Sequence, residues 1–113
     1  MKHYMLFIRE DLELLKQLSE EQNQEYIQSM LTWVEALSKT GNFVSGDPLE
    51  PEARLAKQEE ILHDGAFIES KEGISGYMII MAENIEQASK LAQDCPLMGS
   101  VVNSIEVRPI MKF

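Results

Sequence analysis

The stretch that decides the fold is Gly76-Tyr77-Met78-Ile79-Ile80-Met81-Ala82. Its length, and the β-branched and aromatic residues in it, predict a strand. Because side chains alternate across a strand, the odd-numbered residues from Tyr77 to Met81 share one face and the even-numbered residues from Met78 to Ala82 share the other. Both faces are apolar. We therefore expect a central strand that is covered from both sides of its sheet.

The rest of the chain divides into strands and helices by the same kind of pattern. His3–Arg9 is a second stretch that is almost continuously apolar and bounded by charge, which predicts another buried strand. Ser19, with Gln22 three residues later, has the pattern of a capping box, and the helix that it opens is expected to end before Gly41. The remaining predicted elements are one or two helical turns within 11–18, strands at 43–49, 54–57, 60–63 and 104–111, and a helix capped by Asn84 and stopped by Pro96.

The order of these elements predicts a single α+β domain over residues 1–113, with a ferredoxin-like antiparallel sheet. The two main helices are sufficient to cover one face of such a sheet. The other face would then expose the apolar side chains of both central strands, and soluble monomers rarely expose so large an apolar patch. A second copy of the chain, packed sheet against sheet by two-fold symmetry, would cover it. We therefore expect a homodimer.

A charged loop before the central strand carries a recognisable motif. It reads Asp64-Gly65-Ala66-Phe67-Ile68-Glu69-Ser70-Lys71-Glu72, and Cys95-Pro96 and Glu106-Val107-Arg108-Pro109 follow later in the chain. In their order and spacing these segments resemble the YCII-related family, in particular its branch named for the motif Asp-Gly-Pro-Phe (DGPF). The resemblance implies a dimeric α/β barrel. The chain departs from the branch at Ala66, where the namesake has proline, and at Ser75, where the first of two glycines is usual.

The charge of the chain argues against some classes of partner. With 10 basic and 19 acidic residues the net charge is −9, so nucleic acid and anionic membrane surfaces would repel it. The one cysteine, Cys95, rules out an internal disulfide and fits a reducing compartment. The apolar run Tyr4–Ile8 is too short for a signal peptide or a membrane span. The expected location is the cytoplasm.

The charged loop also holds the candidates for acid–base catalysis. His63 and Asp64 are adjacent, and either could act as a general base in the cleft between two facing sheets. A structural role is the simpler interpretation of Asp64, because Asp-Gly pairs favour tight turns. Some members of the wider YCII-related family resemble acid–base enzymes with a histidine on the first helix, but the helix after Ser19 contains no histidine. That catalytic pair is therefore not expected here.

A second group of residues predicts a site for a small organic acid. If the odd-numbered residues of the last strand pack under the helices, Glu106 and Arg108 point to the dimer-facing side. A guanidinium in a partly apolar cleft suits a carboxylate, which belongs either to a ligand or to Glu106 or Glu69. Pairing within the protein is favoured, because a desolvated arginine needs a constant partner. The expected ligand-binding residues are Arg108, Glu106, Glu69, Lys71, Phe67 and Tyr77.

We expect neither a cofactor nor a metal ion. His3, His63 and Cys95 lack the spacing of metal ligands, and the chain has no phosphate-binding glycine loop and no serine-centred elbow. Three functions stay open. They are a dimeric module that binds a small organic acid, an acid–base enzyme of the isomerase or lyase type that uses Asp64 or His63, and a regulatory module for protein interaction. The sequence ranks them in that order.

Overall fold

The computed structural model describes residues 1–63 and 72–112. In the described residues the strands are β1 (Lys2–Asp11), β2 (Phe43–Pro48), β3 (Arg54–Ala56), β4 (Ile61–His63), β5 (Glu72–Ala82) and β6 (Val102–Pro109), and the helices are α1 (Leu12–Gln17), α2 (Glu20–Lys39) and α3 (Ile85–Gln93). Four strands form one antiparallel sheet in the order β2-β5-β1-β6, and β3 and β4 form a small sheet of their own. Without that small sheet and the short α1, the order is the β-α-β-β-α-β of a ferredoxin-like fold, which confirms the predicted class.

β1 and β5 occupy the centre of the large sheet, as their apolar sequences predict. The even-numbered side chains from Tyr4 to Glu10 on β1 and from Met78 to Ala82 on β5 are buried on the side of α2 and α3, and Leu6 and Ile80 are fully buried there. Their odd-numbered side chains are only partly buried in the single chain. β5 begins at Glu72 rather than at Gly76, because its pairing with β1 continues as far as Asp11. The strand is therefore longer than the apolar stretch that predicted it.

The predicted capping box opens α2. The backbone nitrogen of Gln22 donates to the Ser19 hydroxyl, and the backbone nitrogen of Ser19 donates to the Gln22 side chain. The helix buries Trp33 and Leu37 in the core, and Gly41 follows its end with a φ of 75°, a conformation that suits glycine. None of the described helices has the length and apolarity that a membrane crossing requires.

The small sheet of β3 and β4 is a ribbon, residues 54–63, that we call the arm. Leu55 pairs with Leu62, and Ala56 pairs with Ile61. The two strands of the arm pack on each other, and no other described helix or strand packs extensively on them. The radius of gyration of the chain is 15.2 Å, whereas a compact domain of this length is expected to have one of about 13 Å. The arm therefore adds little to the core.

Candidate functional site

One face of the large sheet packs on α2 and α3, and the other, which we call the open face, is covered by neither. The strand register decides which side chains share this face. Phe7 of β1 lies between Tyr77 of β5 and Glu106 of β6. In the next row, Met5 lies between Ile79 and Arg108. The partly buried apolar residues of the open face are Met5, Phe7, Tyr77, Ile79 and Met81.

Two arginines share one carboxylate on the β6 side of the open face. Nη2 of Arg9 lies 2.9 Å from Oε1 of Glu106, and Nη1 of Arg108 lies 3.2 Å from Oε2 of the same side chain. The hydrogen bonds from Arg9 and then from Arg108 hold the pKa of the Glu106 carboxyl below its usual value. We call these three residues the ionic cluster. Its two guanidinium charges face one carboxylate charge, so one positive charge is in excess.

The ionic cluster agrees with the predicted pairing of Arg108 with Glu106 and adds a residue that the sequence interpretation missed. Arg9 belongs to the cluster because β6 pairs with β1, and Glu106 stands opposite Phe7, two residues before Arg9. Alternation places Arg9 on the same face as Phe7. The charge that bounds the first apolar stretch was the available signal, but the register of two strands so far apart in the sequence could not be predicted.

Tyr77 is also on the open face, as expected, but a neighbouring strand holds its hydroxyl. It donates a hydrogen bond of 2.8 Å to Oδ2 of Asp47, which stands directly opposite on β2. This hydrogen bond is the main reason why the pKa of the Tyr77 hydroxyl is raised. The open face thus has an apolar centre with one polar pair on the β2 side and the ionic cluster on the β6 side.

The remaining predicted site residues divide into one that the structure describes and four that it does not. His63 ends β4, is exposed, and stands opposite Arg54 at the base of the arm. Asp64, Phe67, Glu69 and Lys71 lie outside the described residues. The predicted meeting of the charged loop with Arg108 therefore stays a prediction.

A buried carboxylate lies on the helix-covered side of the sheet. Glu10 is only 3% exposed. The Tyr26 hydroxyl of α2 donates to Oε2 of Glu10 at 2.5 Å, and the Ser75 hydroxyl of β5 donates to Oε1. Burial, and then the bond to Glu10, raise the pKa of the Tyr26 hydroxyl. Because a buried charge requires hydrogen-bond donors, these two hydroxyls are what make Glu10 tolerable at this position.

Ser75 contributes to the surroundings of Glu10 through its side chain. A glycine at this position could not donate the hydrogen bond that the Ser75 hydroxyl makes to Glu10. The sequence offered a signal for the burial of Glu10, because Glu10 continues the even-numbered buried positions of β1 after Ile8. That signal was missed because the strand was expected to end at Arg9.

Cys95 lies near the buried carboxylate and is also buried. Burial raises the pKa of its thiol, and the charge of Glu10 acts in the same direction. Its sulfur lies 3.9 Å from that of Met30. These surroundings are those of a small core residue rather than of a reactive thiolate. No group of three or more potential metal ligands occurs among residues 1–63 and 72–112.

Two grooves of the described chain are on the helix side. A groove of about 520 Å³ runs between α2 and the end of α3, lined by Trp33 and Leu91 among others. A smaller one of about 210 Å³ lies beside Tyr26 and Val101. No residue of the ionic cluster lines either groove.

Comparison with known proteins places this architecture in a family. No curated protein matches the chain. Among protein families, the model of the YCII-related domain matches residues 1–113, so the match covers the open face, the ionic cluster and the arm together. The chain therefore belongs to the YCII-related family.

Proposed function

We propose that the protein is a homodimer of the DGPF branch, in which two open faces pack together and the cleft between them binds a small organic acid. The observation that carries the proposal is the ionic cluster, a local excess of positive charge on the β6 side of a sheet face whose centre is apolar.

The composition of the open face supports self-association. Its centre is apolar and only partly buried in the single chain. Burial of such surface contributes about 25 cal/mol per Å². The smallest dimension of the chain is 19 Å, which fits one sheet with one layer of helices, each helix being about 10 Å across. Among the described residues no third layer covers the open face, and we propose that another copy of the chain supplies it.

Charge supports the same interface. On the open face, Arg9 and Arg108 carry positive charges, and Asp47 and Glu106 carry negative charges. The formal charges of these four side chains cancel. The whole chain has a net charge of −9. Two copies therefore repel each other least when they approach through the open faces.

The ionic cluster supports an anionic ligand. Arginine binds carboxylates with a planar fork of donors, and Glu106 occupies only part of the donors of its two neighbours. A ligand carboxylate placed beside Glu106 would neutralise the remaining positive charge. In a cleft between two sheets this attraction would be stronger than on a surface open to water.

Titration of malonate into the protein, followed by calorimetry, tests the ligand. Arg108→Ala should weaken malonate binding at least tenfold, which corresponds to about 1.4 kcal/mol. Glu106→Gln should strengthen it, because the carboxylate that competes for the arginines is removed. Lys90→Ala is the matched control, since it deletes a cation on α3 that is paired with Asp94. Equal affinities for Arg108→Ala and Lys90→Ala would refute an anion site at the cluster.

Sedimentation equilibrium tests the dimer without any ligand. At micromolar concentration the protein should have twice the 12.9 kDa mass of the chain, and Arg108→Ala should leave that mass unchanged. A monomer throughout the concentration range would refute the dimer.

A further inference from the structure

The arm has the features of a surface that is completed by another chain. Its strands β3 and β4 have three residues each, and a two-stranded ribbon is marginally stable in water unless it packs on something. Extensive packing within the described chain links the two strands only to each other. Yet Ile61 is 62% exposed and Leu55 is 38% exposed.

Both faces of the arm carry apolar side chains. Leu55 and Leu62 are directly opposite each other, so they share one face of the ribbon, and Ala56 and Ile61 share the other. A ribbon that only shields its own chain needs one apolar face. The second face also carries Arg54 and His63 but is apolar at Ala56 and Ile61, and this apolar part points to a second contact surface.

The arm follows β2, an edge strand of the large sheet. Pro48, the last residue of β2, pairs with Gly76, which pairs with Ile8, which pairs with Ile105. These four residues form one row across the sheet, and the ionic cluster lies at the far side of this row, on β1 and β6. The arm therefore starts at the β2 border of the sheet whose open face lines the proposed cleft.

The area of the open face indicates why a dimer would gain from the arm. Four strands about 4.8 Å apart, each about nine residues long at about 3.3 Å per residue, present roughly 570 Å² per subunit. Two such faces bury roughly 1,100 Å², whereas stable specific interfaces bury about 1,200–2,000 Å² in total. The arm carries the exposed apolar side chains Leu55 and Ile61, which would supply part of the difference.

We propose that the arm clasps the second copy of the chain, with Ile61 and its face of the ribbon seated on the partner subunit beside the cleft. The inference rests on the proposed sheet-to-sheet dimer. It adds that each cleft is bordered by an element of the opposite subunit, so that dissociation opens the ligand site as well as the interface.

The first test is the dissociation constant of the dimer, measured by sedimentation equilibrium for Ile61→Lys and Ile27→Lys. Ile61 and Ile27 are 62% and 47% exposed in the single chain, so neither substitution should unfold it. Ile61→Lys should weaken the dimer at least tenfold, whereas Ile27→Lys, on α2, should leave it unchanged. A wild-type monomer would overturn the dimer and the arm together. A wild-type dimer that Ile61→Lys does not weaken would overturn the arm alone.

The second test is cross-linking from position 61. Ile61→Cys can be labelled with a benzophenone maleimide, because the native Cys95 is buried. When ¹⁵N-labelled and unlabelled chains are mixed and irradiated, the proposal expects cross-linked dimers that contain one chain of each kind. Cross-links confined to single chains would overturn the proposal even if the dimer itself is confirmed.

Discussion

The buried carboxylate of Glu10 should make Tyr26 one of the more costly hydroxyls to remove. Tyr26→Phe keeps the ring and deletes the donor that lies 2.5 Å from Oε2 of Glu10. Hydrogen bonds to charged groups contribute about 1.5–3 kcal/mol. The loss should fall in the upper part of that range, because Glu10 is 3% exposed and water cannot readily replace the phenol.

Urea unfolding, followed by the fluorescence of the single tryptophan, Trp33, measures this loss. Trp33 is buried, so its emission should change when the core opens. Tyr77→Phe is the matched control, because it also deletes a hydroxyl that donates to a carboxylate, but its acceptor Asp47 is exposed in the single chain. Both variants should be measured at one protein concentration, since the stability of a dimer depends on concentration.

The pH dependence gives a second measure of the same contact. The pKa of Tyr26 is raised by burial and by Glu10. The stability that this shift contributes is complete below the ordinary pKa of about 10 and is lost as the pH rises above it. The wild type should therefore lose stability above pH 10 more steeply than Tyr26→Phe. Two results together would refute the argument that Glu10 depends on Tyr26. They are equal losses of unfolding free energy for Tyr26→Phe and Tyr77→Phe, and parallel losses of stability above pH 10 for the wild type and Tyr26→Phe.

Three further predictions concern the helix start, the ionic cluster and the open face. Ser19→Ala removes an acceptor for the first turn of α2 and should cost about 0.5–2 kcal/mol in urea unfolding; no measurable change would mean that the capping box is dispensable. The pKa of Glu106 is lowered by its arginines, so its contribution to stability is present above about pH 4.5 and is lost as the pH falls further. When the pH is lowered from above to below this value, the urea midpoint of unfolding should therefore fall more for the wild type than for Glu106→Gln. Equal falls would contradict the pairing. Met81→Asp places a charge on the open face and should dissociate the dimer in sedimentation equilibrium, while a persisting dimer would mean that this face is not the interface.

Local patterns were sufficient to predict the elements of this fold. Two stretches that are apolar on both faces indicated the central strands, and the capping box at Ser19 marked the start of α2. The order of elements then predicted the ferredoxin-like sheet, which the structure confirms. These signals are local, and they depend on side-chain periodicity and on hydrogen bonds between residues a few positions apart.

The candidate site was predicted only in part, because it depends on contacts between distant strands. The sequence placed Glu106 and Arg108 on one face of the last strand but did not show that Arg9 would join them, since periodicity does not set the register between β1 and β6. It also missed the contact of Glu10 with Tyr26 and Ser75, which joins β1, α2 and β5. Each omitted contact required the tertiary arrangement.

The position of β1 between β5 and β6 has a consequence for the order of events during synthesis. β1 is made first, but its partners begin at Glu72 and Val102. Until β5 has emerged, this strand, which is apolar on both faces, has two unpaired edges, and until β6 has emerged it keeps one; such edges promote aggregation. Folding of this non-local sheet is expected to be slower than that of a helical bundle. The soluble yield of the protein should therefore depend on how well the nascent chain is shielded before β6 arrives, and not only on how stable the finished fold is.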